Sequence, residues 1–358
     1  MALASFVLSK SDFGLTPIRK TNIYEDDRTP FCADSTVSQT IKQLATISRA
    51  EFLLPNLGSL IMGLAWGVNP PLNLTELVIS ILLSFTIINL SSAIGAQANT
   101  ISDYELDLRD ERKRELVQVL ESFGRSRLKK VLIAEFATTL VLIVVFMLEN
   151  AKPFLLILWV AGISLGCFYS AQPLRVKSRS WLAPVTLILV LAVFPVLFAY
   201  LTFTSKINPI FLLALAGLGS TVYGVIIPTE IRDYFGDKAM GIQTMTVRLG
   251  LANASLLSIL LLSLGGTLIG ISFFITFAYG RYPLLSLLVA VMAIIDLVVL
   301  RKFKKLYELS KDYENSRERN TVAQEIVRFS ANNPKWIMLV TQTYSIISII
   351  MLMSKFLH

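Results

Sequence analysis

The chain has 358 residues, of which 54% are hydrophobic and only 16% are charged, and its mean hydropathy is +0.63. A soluble domain of this size does not need so many long apolar segments, so the composition predicts a helical protein that crosses a membrane several times. The net charge of +8 could indicate nucleic-acid binding. The basic residues lie beside apolar segments, however, which is the distribution that orients a membrane protein, and no nucleic-acid partner is expected.

Cysteine and histidine are scarce, which excludes several kinds of site. Cys32 and Cys167 are too few and too far apart for a disulfide framework or a thiolate metal site. The only histidine is His358, so we expect no histidine-based acid–base chemistry and no histidine metal ligand. The sequence indicates no obligate protein partner.

The apolar segments divide the chain. Residues 1–48 are of mixed polarity with no long apolar segment, and we interpret them as a cytoplasmic tail. A core at 49–300 holds eight predicted transmembrane helices, a charged loop follows at 301–335, and a ninth helix lies within 336–358. The nine helices are predicted near 52–69, 77–98, 131–149, 153–170, 182–203, 208–228, 254–278, 283–300 and 336–356. The predicted fold class is an all-α polytopic membrane bundle.

The basic residues predict the orientation of these helices. Of the 33 lysines and arginines, all but Lys152, Lys206, Arg281 and Lys355 fall on one side of the membrane when the nine helices alternate in direction. Because loops rich in lysine and arginine stay in the cytoplasm, the N-terminus is predicted inside and the C-terminus outside.

The first candidate site follows the second apolar segment. Asn99, Asp103 and Asp107 are spaced four residues apart, so on a continuing helix their side chains point into one space. An ordinary solvated loop is the alternative, and the mixed charges of residues 109–114 favour it when this stretch is taken alone.

A second acidic stretch occupies the equivalent place after the sixth apolar segment. Glu230, Asp233 and Asp237 lie at positions i, i+3 and i+7, again on one helical face. Both stretches lie at predicted cytoplasmic ends of helices, which favours a joint functional site. Carboxylates with an amide oxygen suit Mg²⁺, which binds through one or two carboxylates and the oxygens of a phosphate substrate. The pair of stretches therefore predicts a Mg²⁺–diphosphate site.

A third element on the same side is the loop after the fourth apolar segment. Pro173 ends the helix there, and Arg175 and Lys177 are residues that donate to phosphate oxygens. Anchoring by positive charge explains the two basic residues equally well, but it does not explain the arrangement Tyr169-Ser170-x-x-Pro-x-Arg-x-Lys.

These three motifs together resemble the UbiA superfamily of intramembrane prenyltransferases. The order and spacing of the motifs, and their positions relative to the helices, agree over roughly residues 48–300. The resemblance implies a bundle of about nine helices around a central cavity, with Mg²⁺ and a prenyl diphosphate bound under a cytoplasmic cap. The prenyl group would pass to a lipophilic acceptor, a quinone or aromatic precursor or an isoprenoid lipid, and diphosphate would leave.

The resemblance also assigns roles to residues. The catalytic residues would be Asp103, Asp107, Asp233 and Asp237, and the metal ligands Asn99, Asp103, Asp107, Glu230, Asp233 and Asp237. The substrate-binding residues would be Asn99, Arg112, Lys113, Tyr169, Arg175 and Lys177.

Three departures from the family pattern leave the acceptor open. Thr100 replaces the second residue of the usual Asn-Asp opening, Glu230 stands where Asp is usual, and residues 112–115 read Arg-Lys-Arg-Glu where Arg-Pro is expected. A cyclase of the same superfamily, which needs no acceptor, is the first alternative, although such cyclases tend to lose part of the first motif. A membrane transporter is the second, but it should hold its polar groups near the membrane centre.

Two further carboxylates fall inside apolar segments. Glu135 and Asp296 lie near Lys130 and Arg301 in the sequence, and a local ion pair is favoured over catalysis for each.

Overall fold

The computed structural model describes residues 37–70, 73–108 and 113–357. Within these ranges the regular elements are all helical. The α-helices are α1 (Val37–Ile47), α2 (Leu53–Gly67), α3 (Leu74–Asp107), α4 (Arg114–Phe123), α5 (Arg125–Asn150), α6 (Phe154–Ser170), α7 (Leu182–Ile188), α8 (Phe194–Phe203), α9 (Pro209–Ala239), α10 (Met245–Leu249), α11 (Leu251–Ala278), α12 (Leu288–Asn315), α13 (Arg319–Ser330) and α14 (Asn333–Ser354).

The predicted helical bundle is confirmed. Seven helices are long and apolar enough to cross a membrane among the residues the structure describes, with α7 and α8 joined through a π-helical turn (Leu189–Val193) into one of them. The other two predicted spans form α2 and α6, which are 15 and 17 residues long. Large apolar side chains such as Leu82, Ile133, Ile157 and Leu260 remain exposed on the outer faces of the bundle, as expected where lipid is the solvent.

The two helices that carry the acidic motifs are longer than a membrane is thick. α3 has 34 residues and α9 has 31, so each extends about 45–50 Å against a hydrocarbon core of about 30 Å. Asn73 and Asn208 begin these helices by accepting hydrogen bonds from the N–H groups of Thr75 and Ile210. Both helices begin at the same end of the bundle. Their last turns therefore project together from the other end, which we call the motif end.

The core consists of two apolar clusters joined by shared helices. The first is built from α2, α3, α5, α6 and α8, and it surrounds Phe146 and Leu155. The second is built from α2, α8, α9, α11, α12 and α14, and it surrounds Phe211 and Phe273. The last helix, α14, packs against both α2 and α12, so it connects the beginning of the chain to its second half.

Short helices follow each acidic motif at the motif end. α4 and α1 pack on the end of α3 through Val117, Leu120 and Ile47. α10 and α13 pack on the end of α9, where Ile326 joins Ile231 in a buried cluster. The same order of elements, a motif helix followed by a short helix and a long helix, therefore occurs in both halves.

Candidate active site

The first motif lies on the last turns of α3 and faces basic residues from two directions. Asp103 accepts hydrogen bonds from Ser170 Oγ at 2.9 Å and from Lys177 Nζ. Asp107 accepts from Lys113 Nζ at 3.0 Å. The side chains of Asp103 and Asp107 are only 13% and 10% exposed, so they are not the solvated loop carboxylates of the alternative interpretation.

Asn99 lies two turns before Asp107 on the same helix. Its Oδ1 atom is buried and has no hydrogen-bond partner among the described residues. A buried carbonyl oxygen without a hydrogen-bond donor lowers the stability of the folded protein. Its presence at this position is therefore best explained by a ligand that binds it. The free oxygen fits the predicted role of Asn99 as a neutral metal or substrate ligand.

The loop after α6 brings Lys177 and Arg175 to the first motif. Arg175 has a left-handed backbone conformation with φ 39°, and its N–H donates to the carbonyl of Ala171 at 2.8 Å. This strained turn directs the following residues back over α3. Burial lowers the pKa of Lys177, while the neighbouring Asp103 carboxylate opposes that shift. Arg175 and Lys113 also lie within electrostatic range of Lys177, so three cations gather at this edge.

The second motif lies on the last turns of α9. Glu230 accepts a hydrogen bond from Thr246 Oγ1 at 2.7 Å. Asp233 accepts from Arg232 Nε at 3.1 Å, and its side chain is 31% exposed. Asp237 follows Glu230 by two helical turns on the same face.

The two motifs converge on Tyr169 at the end of α6. Its phenol interacts electrostatically with Glu230 and Asp237 of the second motif and with Asp103 of the first. Tyr223, two helical turns before Glu230 on α9, lies within electrostatic range of Glu230 and of Tyr169. The Tyr223 hydroxyl is also buried, and in the part of the chain that the structure describes it lacks a hydrogen-bond partner, as the Asn99 oxygen does.

The residues present fit a divalent cation held together with a diphosphate. No three acidic, histidine or cysteine side chains of the described ranges form a ready-made metal cage. Mg²⁺ does not require one, because it commonly takes one or two carboxylates and completes its shell with phosphate oxygens and water. Two separate carboxylate faces and the free Asn99 oxygen provide this kind of partial ligand set. The individual metal ligands remain a prediction.

The site differs from the sequence prediction at a few positions. Arg112 lies outside the described residues. Thr246 was not predicted as a site residue. Thr244 accepts from the N–H of Val247 and begins α10, and α10 presents Thr246 to Glu230. Ser170 appeared in the motif without a role, and it donates to Asp103.

A mainly apolar cavity lies along α9 before the second motif. It has a volume of ≈ 130 Å³. Its walls come from α2, α9, α14 and the π-helical turn, and include Met62, Leu191, Val222, Val225 and Tyr344. Val222, Val225 and Ile226 precede Glu230 on α9, so the cavity and the second motif lie along the same helix.

Comparison with known proteins identifies the family. A sequence profile of the UbiA prenyltransferase family matches residues 56–314. The chain belongs to this family. It is therefore an integral membrane protein of the prenyltransferase class, as the motifs predicted. A search of curated proteins finds no match.

Solved structures share the fold of this UbiA-family chain. A UbiA homologue from Archaeoglobus fulgidus, bound to GPP and Mg²⁺, is 16% identical with a TM-score of 0.57, and the match covers 83% of this chain and 99% of that one. A digeranylgeranylglyceryl phosphate synthase is 16% identical with a TM-score of 0.58, covering 87% and 99%. A UbiA homologue from Aeropyrum pernix K1 is 16% identical with a TM-score of 0.57, covering 80% and 98%. At these identities the likeness concerns the fold alone.

Proposed function

We propose that this protein transfers a prenyl group from a prenyl diphosphate to a lipophilic acceptor within the membrane, with Mg²⁺ as the cofactor. The observation that carries the proposal is the convergence of both acidic motifs on Tyr169, beside the cations Lys177, Arg175 and Lys113. A diphosphate needs both parts of this arrangement, because carboxylates alone would repel it and cations alone would not hold Mg²⁺. The Archaeoglobus homologue, bound to GPP and Mg²⁺, supports the same substrate class.

Each group has a defined role in this proposal. Asp103, Asp107, Glu230, Asp233, Asp237 and Asn99 provide oxygen ligands, and Lys177, Arg175, Arg112 and Lys113 donate to phosphate oxygens. When bound, Mg²⁺ neutralises the charge that develops on the departing diphosphate. The ion pairs Lys177–Asp103 and Lys113–Asp107 hold each acid beside a cation. With substrate bound, Mg²⁺ would neutralise the acids in place of the lysines, and the phosphate oxygens would neutralise the lysines in place of the acids.

The apolar cavity supports a lipophilic acceptor. Breaking the allylic C–O bond leaves an allylic cation, which water would quench. Ten of the fifteen residues that line the cavity along α9 are apolar or glycine. At the polar site, the faces of Tyr223 and Tyr169 can stabilise a cation. A quinone or aromatic precursor, or an isoprenoid lipid, reaches such a cavity from the membrane.

A cyclase acting on a prenyl diphosphate without an acceptor is the alternative. It would use the same ionisation and capture the cation within its own chain. The first motif keeps both Asp103 and Asp107, each paired with a lysine and little exposed, which favours the transferase. A transporter is disfavoured because the acidic side chains gather at the ends of α3 and α9.

The decisive experiment follows diphosphate release by the purified protein. Geranyl, farnesyl and geranylgeranyl diphosphates are supplied with Mg²⁺ or with a chelator, with and without a lipid extract. We expect Mg²⁺-dependent diphosphate release and a prenylated lipid product, both lost in Asp103→Asn and retained in Glu105→Gln, whose side chain is exposed on the same helix. A cyclic product without extract would establish the cyclase, and no release from any substrate would refute both enzymes.

The orientation of the protein is part of the proposal: the N-terminus and the motif end face the cytoplasm, and the C-terminus lies outside. Lys311 on α12 and Arg281 before α12 are both exposed, at opposite ends of the bundle. With Cys32 and Cys167 removed, Lys311→Cys should react with an impermeant thiol reagent only from the cytoplasmic side, and Arg281→Cys only from outside. The reverse pattern would overturn the orientation.

A further inference from the structure

α9 contains a proline immediately before the second acidic motif. Pro228 lies inside the helix, two residues before Glu230. A proline has no N–H, so the carbonyl four residues earlier, that of Gly224, loses its helical donor, and an internal proline is expected to bend the helix at this point. In a membrane such a carbonyl needs another donor, because no water is available there.

Ser258 on α11 supplies that donor. Its Oγ donates to the Gly224 carbonyl at 2.6 Å, and the serine is 1% exposed. The contact requires a close approach of the two helices. A Cβ atom added to Gly224 would lie 2.9 Å from the N atom of Leu262 and 3.2 Å from the carbonyl of Ser258 itself. Glycine at 224 is what allows the hydroxyl to reach the backbone.

Asn333 holds the next carbonyl from another side. It begins α14 and is 2% exposed. Its Nδ2 donates to the Val225 carbonyl at 2.7 Å and to Thr229 Oγ1 at 3.1 Å. Two buried side chains, from α11 and from the start of α14, therefore bind successive carbonyls of α9 within one turn of Pro228.

We propose that Ser258 and Asn333 are positioning residues for the second acidic motif. They fix the bend at Pro228, and the bend sets the direction in which Glu230, Asp233 and Asp237 approach the first motif. Neither residue touches the site, so they act through α9. The inference rests on the proposed function only in what it says the motif binds. The claim that Ser258 and Asn333 set the direction of α9 after Pro228 does not depend on that function.

The first test is a set of variants in two backgrounds. Ser258→Ala should weaken the apparent affinity for Mg²⁺ and prenyl diphosphate about tenfold, as small misplacements of ligands do, with a smaller effect on kcat. In a Pro228→Ala background residue 228 regains an N–H that donates to the Gly224 carbonyl, so Ser258→Ala should then have little effect. Asn333→Asp, which keeps the shape of the side chain but removes the donor, should behave like Ser258→Ala in the Pro228 background.

Ser255→Ala is the matched control. Ser255 is equally buried on α11, but its hydroxyl pairs with Ser310 Oγ on α12 at 2.9 Å, so its side-chain hydrogen bond in the described residues goes to α12 and not to α9. It should leave both affinities unchanged. Two results would contradict the proposal and show that Ser258 contributes only packing. One is an equal loss of affinity in Ser258→Ala and Ser255→Ala; the other is an equal effect of Ser258→Ala with Pro228 and with Pro228→Ala.

A distance measurement separates this inference from the proposed function. Spin labels at Glu105→Cys on α3 and Lys238→Cys on α9, in a chain without Cys32 and Cys167, report the separation of the two motif-bearing ends. Ser258→Ala should shift or broaden this distance with Pro228 present and not with Pro228→Ala. This result would support the positioning role even if no prenyl diphosphate were cleaved, and an unchanged distance would overturn it even in an active enzyme.

Discussion

Lys177 donates a hydrogen bond to the carboxylate of Asp103, across 74 positions of the chain. The contact joins the loop after α6 to the last turns of α3, and it is repeated nearby by Lys113 and Asp107. Both acids of the first motif are thus held by a lysine. In a buried site this arrangement keeps the motif stable, because an isolated buried carboxylate is costly, and it keeps a phosphate-binding cation beside a metal-binding acid.

The first prediction concerns the cations of this loop. Lys177→Ala and Arg175→Ala should raise the KM for prenyl diphosphate about tenfold or more, because each removes a charged donor to the phosphate oxygens. Kinetics at saturating Mg²⁺ measure this effect. Arg179→Ala is the control, since its exposed side chain in the same loop bonds only to the carbonyl of Leu174 in the described contacts, and it should keep the KM of the unaltered protein. Equal values for all three variants would mean that these residues serve only as positive anchors.

The second prediction concerns cooperation between the motifs. Asp103→Asn and Asp237→Asn should each nearly abolish turnover, since each removes an anionic ligand while keeping the size of the side chain. If both motifs act on one diphosphate, the double variant should be little worse than either single one, because residues acting as a unit cannot be lost twice. Raising the Mg²⁺ concentration should partly restore the single variants by mass action. Fully multiplicative losses, with no response to Mg²⁺, would contradict a shared site.

The third prediction separates function from stability at Tyr223. Its hydroxyl is buried without a hydrogen-bond partner in the described ranges, so Tyr223→Phe should not destabilise the protein and should relieve about 1–3 kcal/mol of desolvation cost. Turnover should fall several-fold, because the hydroxyl lies within electrostatic range of Glu230 and Tyr169. Thermal unfolding in detergent and diphosphate release measure the two effects.

Tyr200→Phe should give the opposite result. The Tyr200 hydroxyl donates to the carbonyl of Lys206 at 2.6 Å and accepts from the N–H of Asn208, at the end of the bundle away from the motifs. Its loss should lower stability by about 0.5–1.5 kcal/mol and leave turnover unchanged. If Tyr223→Phe lowers stability as Tyr200→Phe does, Tyr223 has a structural role.

The sequence predicted the parts of this fold that depend on local pattern. Nine apolar segments became helices because length and hydropathy decide a transmembrane helix. The two acidic faces were predicted from spacing alone, since α3 and α9 continue through them. The partners of those faces could not be predicted in the same way. Thr246 and Asn333 reach α9 through turns whose direction is set by tertiary packing.

The interpretation of Glu135 and Asp296 was wrong for a definable reason. Each lies five positions from its expected cation, which places the two side chains about 140° apart on a helix. Within the described ranges neither forms that ion pair. Glu135 accepts from Gln97 Nε2 at 2.8 Å, and Asp296 accepts from the Tyr344 hydroxyl at 3.1 Å. Both partners come from other helices, which proximity in the sequence could not reveal.

The last prediction concerns a lysine at the opposite end of the bundle. Lys355 follows α14, and its Nζ donates to the carbonyl of Val68, the residue that ends α2, at 2.7 Å. Burial lowers the pKa of Lys355 from 10.5 to about 8. In the unfolded chain the amine keeps its ordinary pKa, so between these two values the unfolded state binds more protons than the folded state. The contribution of Lys355 to stability should therefore rise as the pH increases from about 8 towards 10.5, and its burial cost is fully present below 8.

Two variants isolate this titration. Lys355→Met cannot titrate and Lys355→Arg stays charged throughout the range, whereas the neutral lysine amine still donates to Val68. The unfolding temperature of the unaltered protein, measured in detergent between pH 7 and 10, should rise relative to both variants as the pH passes 8. The same pH profile in the unaltered protein and in Lys355→Arg would mean that the amine remains charged, and that the Val68 carbonyl and solvent fully compensate for its burial.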